Sequence, residues 1–424
     1  ADGGMVTMSA QAVTDVIKSV VNQEGVVRAA SMVDHGGVVK LVAADLVENT
    51  GEIGWEHNLA KVQNAAGEVT NYGTIDVSAG EAGAAQGQVT LAGQYVGHAG
   101  TILARGAGNA QGGRVLITSS DKTVITSTGS IETSGVGNSS GGNVVVWSDK
   151  DTIFRGTITA RGGDLGGDGG NVEVSGHQNL NYRGTVDLSA PNGQTGTLLL
   201  DPATITITGG AGDGDDTGAV TTEFQGDPSN GAGTVLFADT TPTTIRESEL
   251  EGTAGANIVL EAQNGISTSG TFTGTQVLIG TGKNLTLRTR NASATDLGTG
   301  INLTGSTDGA TLEFKTQGSG SISIETGTGA SPLAAPITVG KLTTAAGSIT
   351  LNGTGTVTVS GALTTGNVTT SGAASGAISL TSTAATIALN ANLTTGTAAV
   401  ADTAGDESAT TGNIALTAVT GISG

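Results

Sequence analysis

Carboxylates on glycine-rich stretches are the residues of this 424-residue chain whose types and spacing could do chemistry. The stretch RGGDLGGDGGNVEVSG, residues 161–176, places Asp164 and Asp168 among six glycines within nine residues. The stretch GGAGDGDD, residues 209–216, adds Asp213, Asp215 and Asp216. Oxygen ligands on flexible turns suit Ca²⁺, so both stretches are candidate calcium loops.

Other functions of these stretches are disfavoured by their context. A phosphate-binding loop would end in Lys followed by Ser or Thr and would open a helix, whereas the first stretch leads into the strand pattern NVEV. An RNA-binding RGG element would be a single copy on a chain of formal net charge −20. Calcium-binding glycine-aspartate repeats form arrays, and GGAGDGDD is one imperfect copy, so a solvated acidic turn is favoured. We therefore predict no catalytic, cofactor-binding or metal site and keep the five aspartates as the calcium candidates.

The remaining reactive side chains show no catalytic spacing. The four histidines, His35, His57, His98 and His177, are not spaced i, i+4, and we expect them at surface or turn positions. Trp147 follows the inward-facing Val146, which places it on the outer side of its strand, and we favour a packing role. Only 2 Trp and 3 Tyr are present for sugar stacking, and the outward acids occur singly. A β-helical polysaccharide-active enzyme, which needs paired carboxylates, is kept as the alternative.

The composition limits the class of protein that could position these side chains. Glycine contributes 71 residues, and charged residues are 13 %, about half the ~25 % of an ordinary globular domain. Cysteine is absent, which removes disulfides, thiol nucleophiles and cysteine zinc sites. The net charge of −20 argues against nucleic acid and anionic membranes as partners. No run of 18 apolar residues is present, so the sequence predicts no membrane helix.

Apolar residues that follow a glycine recur along the chain at a nearly constant interval. The first series is spaced by 22 to 29 residues and runs through Val27, Ile53, Ile75, Ile102, Ile131, Ile158 and Val186. A second series has one gap of 50 residues, interpreted as two turns, and runs through Val39, Val89, Val115, Val144, Val172 and Leu198. A third series runs through Val124, Ile153 and Leu180. Each repeat of ~27 residues is thus predicted to contain three short strands.

Alternation within these strands predicts which side chains face inward. In GTVDLS, Val186 and Leu188 lie on one side of the strand and Asp187 on the other. The same alternation places four acids on the outward side, Asp76, Glu132, Glu173 and Asp187. The first series would then form one interior stack that includes Ile75, Ile102, Ile131, Ile158 and Val186.

A β-unit of this length cannot bury its inner face alone, whereas stacked copies can. The sequence therefore predicts an all-β fold, a right-handed parallel β-helix with one short helix near the N-terminus. At the usual strand spacing of ~4.8 Å, about fifteen coils would make a rod roughly 70 Å long.

The chain divides into three predicted segments. Residues 1–207 carry the regular coils, including a helix at about residues 9–24, where apolar residues follow a helical period. Residues 208–233 form an acidic, glycine-rich loop or excursion. Residues 234–424 form a more degenerate β-helix block that is expected to continue beyond the chain end, and its SELEG segment predicts a single helical turn. Three sequons in this block begin at Asn284, Asn302 and Asn392, a motif that is frequent by chance in so Thr-rich a chain.

Three stretches resemble the filamentous-haemagglutinin-like exoproteins of bacterial two-partner secretion. The longest begins GGNVVVWSDKDTIFRGTITARGG and spans residues 141–208. The others span residues 3–31, beginning GGMVTMSAQ, and residues 243–267, beginning TTIRESELEG. The Asn-Pro-Asn-Gly type motif of that family's secretion domain is absent, so recognition by the export pore is assigned to no residue here.

The resemblance implies a large non-enzymatic protein that is secreted or held at the cell surface of a Gram-negative-type bacterium. It implies export through an outer-membrane transporter partner and roles in adhesion, filaments or biofilm structure. A host, neighbouring-cell or matrix surface is then the expected partner. The open coil edges separately suggest end-to-end self-association, because an unpaired strand edge is a template for another chain. The expected function is a structural or adhesive β-helical rod, not an enzyme.

Overall fold

The computed structural model shows two compact units of parallel β-structure. Unit 1 comprises the described residues from Gly4 to Pro202, and unit 2 comprises those from Ala203 to Gly209 and from Thr244 to Gly424. The structure describes residues 4–9, 19–32, 35–43, 45–47, 61–63, 67–209, 244–253, 255–272, 276–290, 299–307, 312–328, 333–367, 374–397 and 410–424. The predicted excursion at residues 208–233 lies outside these ranges from residue 210 on. The strand Thr204–Thr208 belongs to unit 2, although the sequence assigned most of it to the first block.

Unit 1 is a parallel β-helix whose coils visit three faces, named here faces 1, 2 and 3. Face 1 comprises the strands Met5–Ser9, Val38–Val42, Gln88–His98, Arg114–Ile125, Asn143–Ser148, Asn171–Gly176 and Thr197–Leu200. Face 2 comprises Ser19–Gln23, Gly67–Asn71, Asp151–Phe154 and Asn179–Tyr182, with the second halves of the two long strands Gln88–His98 and Arg114–Ile125. Face 3 comprises Val26–Arg28, Thr74–Asp76, Thr101–Leu103, Ser130–Glu132, Thr157–Thr159 and Thr185–Asp187. The predicted all-β, parallel β-helical fold is confirmed.

Face 3 shows how apolar residues of successive coils stack. Its register joins each residue to the next in the series Ile75, Ile102, Ile131, Ile158 and Val186. Each of these side chains is at most 4 % exposed. The flanking residues of the same strands are exposed or half-buried, because consecutive side chains of a strand point to opposite sides. The predicted interior stack is therefore confirmed.

One coil of unit 1 is much longer than the predicted repeat. Val27 pairs directly with Ile75, and Val39 pairs directly with Val89. The 50-residue interval is thus one coil, and the interpretation as two turns is wrong; Ile53 lies outside the described residues. The extra length includes an antiparallel hairpin formed by Asp45–Val47 and Lys61–Gln63. A hairpin inserted at the bend between faces 1 and 2 leaves the parallel pairing on both sides of it intact.

The third predicted series requires a correction on face 2. Val124 pairs with Ile153 as predicted, but Ile153 pairs with Asn181 and not with Leu180. The inward residues one position before them are Thr123 and Thr152, which are fully buried. Their hydroxyls donate to carbonyl oxygens of the next coil at 2.7 Å, which satisfies these polar groups inside the coil. Val124 and Ile153 misled the prediction because they form a buried cluster with Ala99 on the other side of the face.

The helix predicted at residues 9–24 is wrong over its described part. Ser19–Gln23 is a strand that pairs in parallel with Gly67–Asn71, with Val21 opposite Val69. Pairing with the next coil suits the β-branched Val20 and Val21 and overrides the helical period of the apolar residues. In the part of the chain that the structure describes, the helix is α1, Glu247–Gly252 of unit 2, which confirms the turn predicted for SELEG. None of the described helical structure is long and apolar enough to cross a bilayer.

Unit 2 is a second parallel β-helix, and its faces are named faces 4, 5 and 6. Face 4 comprises Asn257–Ala262, Leu285–Thr289, Ile322–Thr326, Ile349–Gly353, Ile378–Ser382 and Ile414–Ala418. Face 5 comprises Thr204–Thr208, Thr244–Arg246, Gly265–Ser269, Gly300–Leu303, Ile337–Val339, Val357–Val359, Ile387–Leu389 and Ile422–Ser423. Face 6 comprises Gln276–Thr281, Glu313–Gln317, Lys341–Thr344, Leu363–Thr365 and Leu393–Thr394, and a short parallel pair joins Thr271–Phe272 to Ser306–Thr307.

The core of unit 2 is again a set of apolar stacks. On face 4 the register joins fully buried side chains of successive coils, Leu260, Leu287, Ile324, Leu351 and Leu380. Both units therefore bury their inner faces only by stacking one coil on the next.

Candidate functional site: the glycine-rich corner and the charged faces of unit 1

The stretch RGGDLGGDGG is the corner between the face 3 strand Thr157–Thr159 and the face 1 strand Asn171–Gly176. Its glycines are required chiefly by the close approach of neighbouring coils. A Cβ at Gly163 would overlap the carbonyl oxygen of Gly137 on the preceding coil, and one at Gly169 would overlap that of Leu188 on the following coil. Among the six glycines of the corner, a positive φ is found at Gly167, where it is +92°. The predicted turn is present, but backbone contact between coils, more than a left-handed conformation, explains its glycine content.

Asp164 and Asp168 use their carboxylates to join this corner to the coils on either side. Asp164 Oδ1 accepts a hydrogen bond from the Gly137 amide of the preceding coil at 3.2 Å. Asp168 Oδ1 accepts one from the Gln194 amide of the following coil at 2.8 Å. The amide of Asp168 in turn donates to Ser140 Oγ at 3.0 Å. Asp168 is thus one step in a ladder in which a side chain of each coil accepts the backbone amide of the next.

A shallow depression of about 320 Å³ crosses several coils at this corner. Apart from glycines, it is lined by amide and hydroxyl side chains and one carboxylate, from Gln111, Ser140, Asp168, Asn171, Gln194, Thr195 and Thr197. Within the described ranges, no group of three or more His, Cys, Asp or Glu side chains is placed to hold a metal ion. The other calcium candidates, Asp213, Asp215 and Asp216, lie outside those ranges. The corner is thus an acidic turn whose two carboxylates accept backbone amides of adjacent coils.

A second group of ionisable side chains lies at the bend between faces 1 and 2 and is named here the charged bend. Lys150 Nζ is 3.1 Å from Asp121 Oδ1. The Tyr95 hydroxyl donates to the other carboxylate oxygen of Asp121 at 3.3 Å. The hydrogen bond with Asp121, and then its negative charge, raise the pKa of Lys150. Three successive coils thus contribute one contact each to this cluster.

The charged bend continues through Asp151, whose register partner on the preceding coil is Lys122. Asp151 Oδ2 lies 3.7 Å from Lys122 Nζ, and Asp151 Oδ1 accepts a hydrogen bond from Asn179 Nδ2 at 2.8 Å. Trp147 Nε1 donates to Asp149 Oδ1 at 3.1 Å. This cluster was not predicted from the sequence, although the triplet Ser-Asp-Lys occurs at residues 120–122 and again at 148–150. The recurrence of that triplet after one coil was the available signal.

Face 3 carries charges whose sign alternates from coil to coil. Asp76, Glu132 and Asp187 occupy the outward position on alternate strands, and Leu103 and Thr159 occupy it on the strands between them. An arginine lies two positions after each neutral outward residue, as in TARG. A serine lies two positions after each outward acid, as in ETSG. Three ion pairs result between adjacent coils: Arg28–Asp76 at 3.8 Å, Arg105–Glu132 at 2.6 Å and Arg161–Asp187 at 3.6 Å. The predicted outward position of these three acids is correct.

The fourth acid, Glu173, contradicts the prediction that it faces water, because it is only 2 % exposed. It lies on face 1 opposite Val145 in register. Val145 and Trp147 are 2 % and 4 % exposed and pack with Leu116 on that side of the face. The packing role favoured for Trp147 agrees with this cluster, but its position is buried and not on an open surface. Alternation identified the correct side of the strand and could not reveal that this side is also covered.

Among the described residues, the histidines belong to no group of potential metal ligands. His35 and His177 are exposed, as predicted, and His57 lies outside the described residues. The surface or turn position predicted for His98 is wrong, because its side chain is fully buried in face 2. The asparagines of the three sequons, Asn284, Asn302 and Asn392, are exposed on unit 2.

No protein-family model matches the chain, and a search of curated proteins returns no match. The resemblance to two-partner secretion exoproteins therefore rests on the stretches quoted above. The carboxylates of the corner, the charged bend and face 3 form hydrogen bonds with backbone amides or side-chain donors, or ion pairs with Lys or Arg. Glycoside hydrolysis instead needs one carboxylic acid that is free to give a proton beside another that stays ionised.

Proposed function

We propose that the chain is a non-enzymatic structural or adhesive segment of a secreted or cell-surface protein, built as a β-helical rod. The observation that carries this proposal is the use of the outward carboxylates in unit 1. Five of them lie within 3.8 Å of a Lys or Arg from an adjacent coil: Asp76, Asp121, Glu132, Asp151 and Asp187. These ion pairs join adjacent coils and leave few carboxylates available for acid–base catalysis.

The proposed mechanism is geometric. Each coil pairs its strands in parallel with those of the next coil, and the repetition presents similar side chains at the spacing of strands in a sheet, ~4.8 Å. The net charge of −20 keeps such a surface soluble and disfavours nucleic acid as a partner. The resemblance to two-partner secretion exoproteins supports an outer-membrane transporter as the export partner. It also supports a host, neighbouring-cell or matrix surface as the adhesive partner.

Localisation is tested on the source cells by fractionation and by brief protease treatment of intact cells, with antibodies against unit 2. The proposal expects the chain in the medium or in the protease-accessible fraction. A cytosolic protein serves as the control that the cells stayed intact. Detection only in the cytosolic fraction would overturn the secreted or cell-surface assignment.

The alternative, a β-helical polysaccharide-active enzyme, is tested by incubating the purified chain with a panel of acidic and neutral polysaccharides. Formation of new chain ends is then measured. The proposal expects none above a heat-denatured control. If ends form and Asp121→Asn abolishes them while Asp187→Asn does not, the charged bend is an active site and the enzyme replaces the structural rod.

Filament formation by end-to-end association is a separate part of the proposal. Light scattering and electron microscopy of the purified chain over a range of concentrations would show particles that lengthen as concentration rises. Dispersed particles of one length at every concentration would remove self-association and leave adhesion as the proposed role.

A further inference from the structure

His98 is a titratable side chain that neither the proposed function nor the charged bend uses. It is 0 % exposed and lies in the inward stack of face 2, between Asn71 and Ile125 in register. The following coils fill the same position with Phe154 and Tyr182, whose rings stack with centroids 5.4 Å apart. An ionisable ring therefore occupies a place that later coils give to large, fully buried side chains.

Both ring nitrogens of His98 are occupied in its neutral form. The carbonyl oxygen of Ser130, 3.2 Å from Nε2, can only accept, so Nε2 carries the proton and donates. Nδ1 then holds a lone pair, and Asn71 Nδ2 donates to it at 3.0 Å. Protonation would place a second N–H on Nδ1, facing an amide group that also donates. Turning the Asn71 amide would restore a hydrogen bond but would leave the positive charge buried.

No carboxylate compensates that charge among the described residues around the ring. The strand of His98 and the strands packed against it carry Lys40, Glu68, Tyr95, Arg114, Asp121, Lys122 and Glu132, all on outward positions or at the charged bend. Asp121 and Glu132 lie beside Lys150 and Arg105, and Lys122 lies beside Asp151. Burial is the largest cause that lowers the pKa of His98 to about 4, and hydrogen bonds with the backbones of Ser130 and Asn71 oppose it only in part. A buried cation without a partner is costly, so the folded coil favours the neutral ring.

We propose that His98 makes unit 1 acid-labile, so that its protonation opens the coils around face 2 while unit 2, which contains no histidine, stays folded. The direction follows from linkage. The unfolded chain binds a proton with the ordinary histidine pKa of ~6.5, and the folded chain binds it only at a lower pH. Stability that depends on neutral His98 is therefore complete above about pH 6.5 and is lost as the pH falls toward about 4. The unfolding equilibrium constant of unit 1 should rise by about two orders of magnitude across that window.

The test uses the full chain and follows urea unfolding by tryptophan fluorescence from about pH 7 to about pH 4. Trp55 and Trp147 both belong to the unit 1 sequence, so the signal reports that unit. His98→Asn copies Asn71 of the preceding coil and removes the titrating ring. His177→Asn removes an exposed histidine and is the matched control.

The proposal expects wild type and His177→Asn to lose stability steeply between about pH 6.5 and 4, and His98→Asn to lose clearly less. The same pH dependence in all three proteins would overturn it. If His98→Asn does not fold, NMR titration of the imidazole in the wild-type chain decides: a ring that titrates near its ordinary pKa in the folded protein overturns the proposal. Hydrogen exchange at about pH 5, corrected for intrinsic rates, should increase over residues 88–130 and stay unchanged over residues 322–382. Equal increases in both regions would also overturn it.

Discussion

Units 1 and 2 are built from the same three-faced parallel coil, yet different side chains join their coils on the outside. Unit 1 uses ion pairs between adjacent coils, such as Arg105–Glu132 on face 3 and Lys150–Asp121 at the charged bend. Unit 2 has ion pairs in its early coils, where Arg290 pairs with Glu261 and Lys341 with Glu313. Residues 342–401 then contain no Asp, Glu, Lys or Arg. The later coils of unit 2 must therefore stack without charge pairing between their side chains.

Short neutral side chains replace the charges in unit 2. Asn257 Oδ1 accepts the amide of Asn284 at 3.0 Å, and Asn284 Oδ1 accepts the amide of Ser321 at 2.9 Å. Ser321 Oγ accepts the amide of Ser348 at 3.0 Å, and Ser348 Oγ accepts the amide of Ala377 at 3.2 Å. This Asn–Ser ladder ends at Ala377, which has no side-chain acceptor. Asp168 at the glycine-rich corner plays the same part in unit 1.

Both units contain apolar interior stacks, whereas the side chains that join their coils on the outside differ. Exposed ion pairs contribute about 0–1 kcal/mol each, and a hydrogen bond contributes about 0.5–1.5 kcal/mol. Burial of one Leu or Ile side chain contributes about 1.5–3 kcal/mol. The interior stacks therefore contribute more to the stability of both units than the outer contacts do.

The largest expected effect is a charge placed in an interior stack, which should be equally damaging in both units. Ile131→Asp on face 3 and Leu351→Asp on face 4 each bury an unpaired carboxylate and should cost more than about 3 kcal/mol of unfolding free energy. Denaturant unfolding followed by circular dichroism measures this cost. Thr185→Asp, on an exposed outward position, is the matched control and should change little. Tolerance of Leu351→Asp would mean that the face 4 stack of unit 2 is not a core.

The next effect concerns corner glycines, which both units use for close approach of backbones. A Cβ at Gly169 of unit 1 or at Gly347 of unit 2 would overlap a carbonyl oxygen of an adjacent coil. Gly169→Ala and Gly347→Ala should each cost about 1–3 kcal/mol, the usual range for overpacking. Thermal unfolding measures both. Gly25→Ala has no atom near the new Cβ and is the control; an equal loss there would mean that backbone contact between coils is not the cause of the loss at Gly169 and Gly347.

A smaller effect, of opposite sign, is expected from extending the Asn–Ser ladder of unit 2. Ala377→Ser supplies a hydroxyl that can accept the amide of Asn413, the equivalent residue on the next coil, since Ile378 pairs with Ile414. A gain of about 0.5–1 kcal/mol is expected, as for one added hydrogen bond. Urea unfolding followed by circular dichroism measures it, with Ala377→Val as a control that adds volume and no acceptor. Equal stability of the two variants would show that the ladder contributes nothing there.

The smallest effect is the loss of one exposed ion pair in unit 1. Arg105→Gln removes the partner of Glu132, whose side chain is 30 % exposed, and should cost about 0.2–1 kcal/mol at low salt. The cost should vanish near ~1 M salt, where the screening length is short. Asp187→Asn, which weakens the pair with Arg161, belongs to the same class. A cost that persists at high salt would mean that Arg105 packs through its aliphatic stem and not through its charge.

Face 3 was predictable because its strands are short, begin after a glycine and have one side that faces solvent. The alternation in GTIDV, GSIET and GTVDL therefore predicted both the stack through Ile131 and the outward acids. Faces 1 and 2 were less predictable because both of their sides are buried in places, as at Trp147 and Val124. Where both sides are buried, apolar residues occupy both, and alternation no longer identifies the inner one.

The long coil and the strand Ser19–Gln23 could not be read from local patterns. The pairing of Val27 with Ile75 skips the residues between them, and only three-dimensional register shows that a hairpin fills part of that interval. Val20 fits the predicted helical face and a strand equally well, and pairing with Gly67–Asn71 on the next coil selects the strand. A partner far along the chain decides both cases.

By itself the sequence determined the architecture of the repeat, because a glycine-punctuated period of about 27 residues with alternating β-branched residues can bury its inner face only by stacking. It also determined that RGGDLGGDGG is a turn and that Asp76, Glu132 and Asp187 face outward. Only the tertiary structure decided which charges meet, because ion pairs and ladders such as Asp168 with Gln194 join residues about one coil apart. It alone placed His98 inside the coil, because whether a residue is buried depends on the neighbours that stacking supplies.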